Sequence, residues 1–190
     1  MPDASTDTIS VKLNWEGPFT FGPSATLGCV FDQPITEEVG GIYLWTIPFE
    51  DGFLINYVGE TSKQKICDRL SQGVRYILSG QDIWGDLDAF EKGIRRVVER
   101  PIQLKKFLGE YERRSQEIIR LLRGYRVFVS PFPQSQWTTK QVEAFLIHTL
   151  KTQCKEIKDF LYNKEIQPPP YLKVSCKTSC KLRGLQSIII

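Results

Sequence analysis

A length of 190 residues suits one domain with a sizeable core. With 41% hydrophobic and 25% charged residues the composition is that of an ordinary globular chain, and a net charge of +3 excludes a polycation that holds nucleic acid by bulk charge, so such binding needs a local patch. No stretch approaches the roughly 18 apolar residues of a membrane span, and the polar start MPDASTDTIS lacks a secretory core.

Residues 1–10 are polar and expected to be disordered. Val11 to Trp15 alternates like a short strand, and the turn-rich EGPFTFGPSA closes it. Residues 11–40 read as an N-terminal extension packed on the domain, because Leu27, Cys29, Val30 and Phe31 need cover. From Ile42 to Ile47 and from Phe53 to Gly59 the chain reads as two strands joined by a turn at Glu50-Asp51-Gly52, followed by a short polar loop. Apolar residues Ile66, Leu70, Val74 and Ile77 then recur at helical spacing over residues 64–78, with Lys65, Arg69, Gly73 and Tyr76 together on one flank.

A loop with Trp84 and a modest helix from about Asp88 lead to Pro101, which suits the first turn of a long helix ending at Gly124. Its expected buried stripe is Leu104, Phe107, Leu108, Tyr111, Ile118, Ile119 and Leu122, with Arg113, Arg114 and Arg120 toward solvent. Tyr125 to Phe132 alternates as a strand that Pro131 and Pro133 stop. Thr138-Thr139-Lys140-Gln141 resembles a capping box opening a helix that runs to about Phe160. Residues 166–190 form a basic tail with one or two short strands. Five thinly spread cysteines fit reduced thiols better than a disulfide framework, so the expected compartment is the cytoplasm. The expected fold is α/β (α+β), a small central mixed or antiparallel sheet flanked by helices.

The ordered set Gly41-Ile42-Tyr43, Tyr57-Val58-Gly59, Arg69 on the next helix and Glu143 in VEAFLI resembles the GIY-YIG nuclease superfamily. The likeness covers about residues 41–165, with a helical insertion over 80–124. It implies a DNA endonuclease acting on phosphodiester bonds with one Mg²⁺ (or Mn²⁺) per site, held by Glu143. Tyr43 is implied as general base, Tyr57 as positioning residue and Arg69 as transition-state cation, with the two tyrosines exchangeable. Asn163 matches the asparagine that follows the glutamate, and Lys63 or Lys65 is a candidate for tuning the phenol. Double-strand cleavage would take a homodimer or two sequential nicks.

The chain departs from that pattern in places. Thirteen residues separate the two tyrosines, Glu60 stands where repair relatives carry lysine, and Gly73 stands where relatives carry His or Tyr, with Tyr76 one turn on. A fold that kept nucleic-acid binding without catalysis is the alternative. For each site residue the bland reading is core packing (Tyr43, Tyr57), a surface charge (Arg69) or a carboxylate near a helix start (Glu143). His148 lies about 140° round the helix from Glu143, too far for a shared ligand. Cys176-x3-Cys180 lacks the second pair a zinc site needs. Lys173, Lys177, Lys181 and Arg183 form a basic tail cluster suited to DNA-backbone contact.

Overall fold

The computed structural model describes residues 9–82, 84–99, 104–132, 136–164, 166–168 and 172–185. Expectations resting on Pro101, Pro133, Pro169, Pro170 and the two chain ends lie outside them. Strand β1 (Ile9–Phe19) alternates as its sequence dictates: Val11, Leu13 and Trp15 are buried while Lys12, Asn14 and Glu16 face out. Two tight turns over 30–32 and 34–37 follow, closed by the Thr36 hydroxyl, which donates to the Val30 and Gln33 carbonyls at 2.9 and 2.8 Å.

The centre of the molecule is the hairpin of β2 (Val39–Phe49) and β3 (Gly52–Lys65). Glu50 at φ 50° turns the chain between them. Helix α1 (Ile66–Leu78) follows β3 directly and buries Ile66, Leu70 and Ile77. The insertion folds as β4 (Trp84–Gly85), α2 (Leu87–Phe90), β5 (Val97–Glu99), α3 (Leu104–Gly109) and α4 (Tyr111–Gly124). Strand β6 (Arg126–Pro131) returns to the sheet, and α5 (Gln136–Gln153), α6 (Lys155–Lys158), β7 (Leu172–Thr178) and β8 (Leu182–Arg183) complete the described chain.

The main sheet has six strands in the order β7-β1-β6-β2-β3-β8, with β4-β5 a separate pair. It is mixed: β1–β7 and β3–β8 are parallel, while β1–β6, β6–β2 and β2–β3 are antiparallel. Helix α1 packs on β2 and β3 and is backed by α4, while α5 packs on β3, β2 and β7. Between these elements Leu13, Ile42, Leu44, Ile47, Ile55 and Phe128 are fully buried. The architecture is the expected α+β one, a mixed sheet flanked by helices.

Four local expectations change. The N-terminal extension supplies β1, a strand inside the sheet whose backbone pairs with β7 and β6 while its apolar face, Val11, Leu13 and Trp15, joins the core. The polar stretch 60–65 is strand, carrying β3 straight into α1. The long helix of the insertion is two helices, since Gly109 stops the first and Glu110 leaves helical geometry at φ −119°. Leu108, Tyr111 and Ile119 then face solvent, and Arg114 is buried at 2% exposure with its guanidinium on Glu110 at 2.7 Å. Finally, α5 begins at Gln136, so Thr138 lies inside its first turn rather than capping it, and the helix breaks at the extended Cys154.

Candidate active site

The hairpin register sets the site. Tyr43 on β2 pairs with Gly59 on β3, and Trp45 pairs with Tyr57. A side chain at position 59 would meet the Tyr43 ring at 2.3 Å, so only glycine lets that phenol lie across the neighbouring strand. Gly41 is held by the same argument: a Cβ there would sit 2.8 Å from the Ser130 carbonyl and 2.9 Å from Ile66 Cδ1. The next residue, Ile42, is wholly buried and anchors the strand. The Tyr43 and Tyr57 rings stand 6.2 Å apart, and Trp45 meets Tyr57 edge-on at 5.9 Å.

Beyond Trp45 the register slips, since Thr46 pairs with Ile55 and Asn56 is left as an extra residue in β3. Such a bulge re-aims the side chains around it. Asn56 is buried and fully engaged: it accepts from the Tyr125 hydroxyl at 2.6 Å and donates to the Phe160 carbonyl at 3.2 Å. Its carbonyl also accepts from the Tyr162 amide at 2.8 Å. The bulge therefore brings Asn56, Tyr57, Tyr125 and Tyr162 to one cavity of about 200 Å³.

Helix α1 forms the opposite wall with Arg69, Gly73, Tyr76 and Ile77. These positions share a face because they recur at three- and four-residue spacing. Arg69 donates to Gln72 Oε1 at 3.3 Å, and Gln72 donates to the Tyr76 hydroxyl at 3.0 Å, tying the polar edge of that wall together. Gly73 faces Trp45, whose Cζ2 would be 3.2 Å from a Cβ at that position.

Two carboxylates stand within electrostatic reach of the same side chains. Glu143 of α5 and Glu60 of β3 act on one another electrostatically, with Arg69 and Lys140 opposing them. Burial first, then the Glu60 charge, pushes the Glu143 carboxyl up to about 7. Glu60 is also raised, chiefly by burial. Ser62 hydrogen-bonds its carboxylate, yet Glu60 Oε2 is buried with no partner.

The phenols line the cavity and feel the charge of Glu143. Tyr43 is 2% exposed, and burial, followed by Tyr57 and Glu143, holds it well above the ordinary phenol range against the pull of Arg69. Tyr57 is less enclosed; burial and Glu143 raise it, while Arg69 pulls it down.

The remaining sequence candidates separate. Asn163 grips the Val58 peptide with both ends of its amide, accepting from the amide at 2.8 Å and donating to the carbonyl at 2.7 Å. It fixes the strand between Tyr57 and Gly59. Lys65 is drawn to Glu37 at 2.5 Å, away from the phenols, and Lys63 is exposed on the end of β3. The tail cations do not form a cluster free of acids. Lys181 meets Asp51 at 2.6 Å, and Arg183 pairs with Glu50 and Asp51, at the hairpin turn rather than the Gly59 end. Lys173 and Lys177 are exposed on β7, at the other edge of the sheet order.

Among the described residues, no three His, Cys, Asp or Glu side chains gather as a metal cage. The pair Glu143–Glu60 still fits a hard divalent ion, because an orphaned carboxylate oxygen beside a second carboxylate is an arrangement that a cation relieves. Compared with family models, curated proteins and solved structures, the chain matches none.

Sequence reasoning missed Trp45, Asn56, Asp82, Tyr125 and Tyr162 around the cavity. Trp45 and Tyr125 read only as strand residues, and the signal available was the number of aromatic residues within reach of the two motif strands. Glu60 read as a mere departure from pattern, although a carboxylate directly after the second triplet was the visible cue.

Proposed function

We propose that the chain is a divalent-metal-dependent endonuclease that hydrolyses DNA phosphodiester bonds. The observation that carries this reading is the mutual electrostatic reach of Tyr43, Tyr57, Arg69 and Glu143, contributed by β2, β3, α1 and α5. The resemblance of their motifs to the GIY-YIG nucleases supplies the reaction class.

Glu143, with Glu60 beside it, would hold the ion. When bound, Mg²⁺ or Mn²⁺ supplies Lewis acidity and a template for phosphate oxygens. Arg69 offers its planar fork to the non-bridging oxygens, where negative charge gathers as the attacking oxygen approaches phosphorus. Tyr57 takes the proton from the attacking water, the new P–O bond forms, and the bond to the leaving oxygen breaks in line. Tyr43, its ring 6.2 Å from that of Tyr57, positions its neighbour. This reverses the roles that the resemblance first implies, because Tyr43 is the more buried phenol and Tyr57 the more open one. One site cuts one strand, so cleavage of both takes two nicks or a dimer. The free state of all five cysteines supports a reducing compartment such as the cytoplasm; among the described residues, no helix is long and apolar enough to cross a membrane.

A second reading is a nucleic-acid-binding module without catalysis. The raised position of both phenols in the free chain favours it, since neither is a base at neutral pH unless positive charge gathers beside it. Supercoiled plasmid incubated with Mg²⁺ or Mn²⁺ separates the two. The nuclease reading expects open-circular product from the wild type and a loss of at least about a hundredfold in Glu143→Ala, the scale seen when one transition-state contact is removed. Salt-sensitive DNA binding with no nicking at any pH from 6 to 9 establishes the binding module instead.

A further inference from the structure

We propose that the aromatic cavity beside the tyrosines receives one unstacked nucleobase of the substrate strand, next to the phosphate that Arg69 contacts. This rests on the nucleic-acid reading above and adds a specificity pocket to it.

The cavity has about 200 Å³, below the ~300 Å³ at which pockets for drug-sized ligands begin. That is the scale of one flat ring system. Its walls are the rings of Trp45, Tyr57, Tyr76, Tyr125 and Tyr162, with Ile77 the aliphatic contribution. Aromatic faces stack on any base, which makes such walls the usual platform for single-stranded nucleic acid.

Two observations make this more than a gap in packing. Trp45 is 6% exposed and its Nε1 is buried with no hydrogen-bond partner, although buried donors are nearly always satisfied. The indole edge that bears Nε1 also bears Cζ2, the atom lying toward Gly73 on the cavity wall. Nε1 itself has almost no open surface, so a small tilt of the indole toward a ring acceptor of the seated base would complete that donor. The second observation is Gly73 itself. A side chain there would press on the Trp45 edge at 3.2 Å and occupy the cavity, so the glycine keeps it open.

The class of ligand follows from the side chains that line the cavity and also act on the carboxylate pair. Tyr43, Tyr57 and Arg69 line the one and act electrostatically on the other. A phosphate held by Arg69 therefore brings its own nucleoside to the cavity mouth, where the exposed Tyr76 ring stands. A duplex keeps its bases stacked, so the substrate is single-stranded there or gives up one base from the stack.

The test needs neither metal nor cleavage. Indole N–H signals of ¹⁵N-labelled protein are followed while dAMP, dCMP, a short single-stranded oligonucleotide and the matching duplex are added. Trp45→Phe identifies the Trp45 signal among the four tryptophans. The proposal expects that signal to shift saturably with the oligonucleotide, and Gly73→Leu to abolish the shift. Tyr76→Ala, at a position 41% exposed and so safe for folding, should weaken oligonucleotide binding about tenfold and decides the matter if Gly73→Leu does not fold. A shift with the duplex as well means the base is extruded; a shift with single strands alone means it is already free. Either supports the pocket. An unmoved Trp45 signal, no oligonucleotide binding, or wild-type binding by Tyr76→Ala overturns it. If the chain nicks plasmid while Trp45 stays silent, the pocket fails and the nuclease stands. If Trp45 shifts in a chain that never nicks, the pocket stands and the nuclease fails.

Discussion

Glu143 carries opposing demands. A carboxylate partly removed from water and facing Glu60 is costly in its charged form, yet a charged oxygen is what a divalent ion needs. Its folded-state value of about 7 lies above the ordinary 4.5. Between those values the native chain binds more protons than the unfolded one, so the stability of the metal-free protein falls as pH rises through this window and the loss is complete above about 7. We predict that Glu143→Gln stabilises the metal-free chain at pH 8 by about 1–3 kcal/mol and changes it little at pH 5. Urea unfolding midpoints at the two pH values check this, and equal effects at both would contradict it. Below about pH 7 the same proton competes with the ion, so cation affinity should weaken on acidification.

Among the elements, β3 does the most to position chemistry. It is paired with β2 along the motif, but β8 covers its other edge only at Phe53 and Leu54. At Val58 that edge is completed by the Asn163 amide, a side chain standing in for a strand. Asn163→Ala leaves both groups of the Val58 peptide without that partner, and it should cost about 1–3 kcal/mol. Hydrogen exchange at the Val58 amide should quicken before the rest of the sheet; unchanged exchange would mean that water or a neighbour replaces the amide.

The hairpin and the α1 face with Arg69 were legible because period-two and three-to-four spacing announce them, whereas Glu143 was singled out only by the resemblance of its motif. The bulge at Asn56 was not, since one extra residue in a strand leaves no mark in an apolar–polar pattern that is buried on both sides. Without the bulge, Tyr125 and Tyr162 have no visible reason to share a cavity with Trp45. The buried Arg114 was equally hidden, because its spacing among arginines and glutamates is that of a solvated face until Glu110 is seen to hold it.

At the scale of the molecule, the sheet joins the first described strand, β1, to the late strand β7 in one fold. Strand β1 pairs with β7 through residues 9–15 and with β6 beyond them, so the N-terminal segment cannot be an optional extension. Deleting residues 1–19 should abolish the cooperative unfolding transition; a truncated chain that still melts sharply would show β1 to be dispensable. The tail cations illustrate the limit of reading charge along a sequence. Lys181 and Arg183 look free of acids in the chain, but the fold sets them against Glu50 and Asp51. The positive charge that the fold sets against the two glutamates at the site comes from Arg69 and Lys140.

That the tyrosines, guanidinium and carboxylate form one catalytic unit is tested most directly by nicking rates of Tyr57→Phe, Glu143→Gln and the double variant. Groups acting together are strongly non-additive. The account predicts that each single change slows nicking about a hundredfold or more, and that the double variant is no slower than the worse single one. Wild-type nicking by either single variant, or losses that multiply in the double, would contradict it.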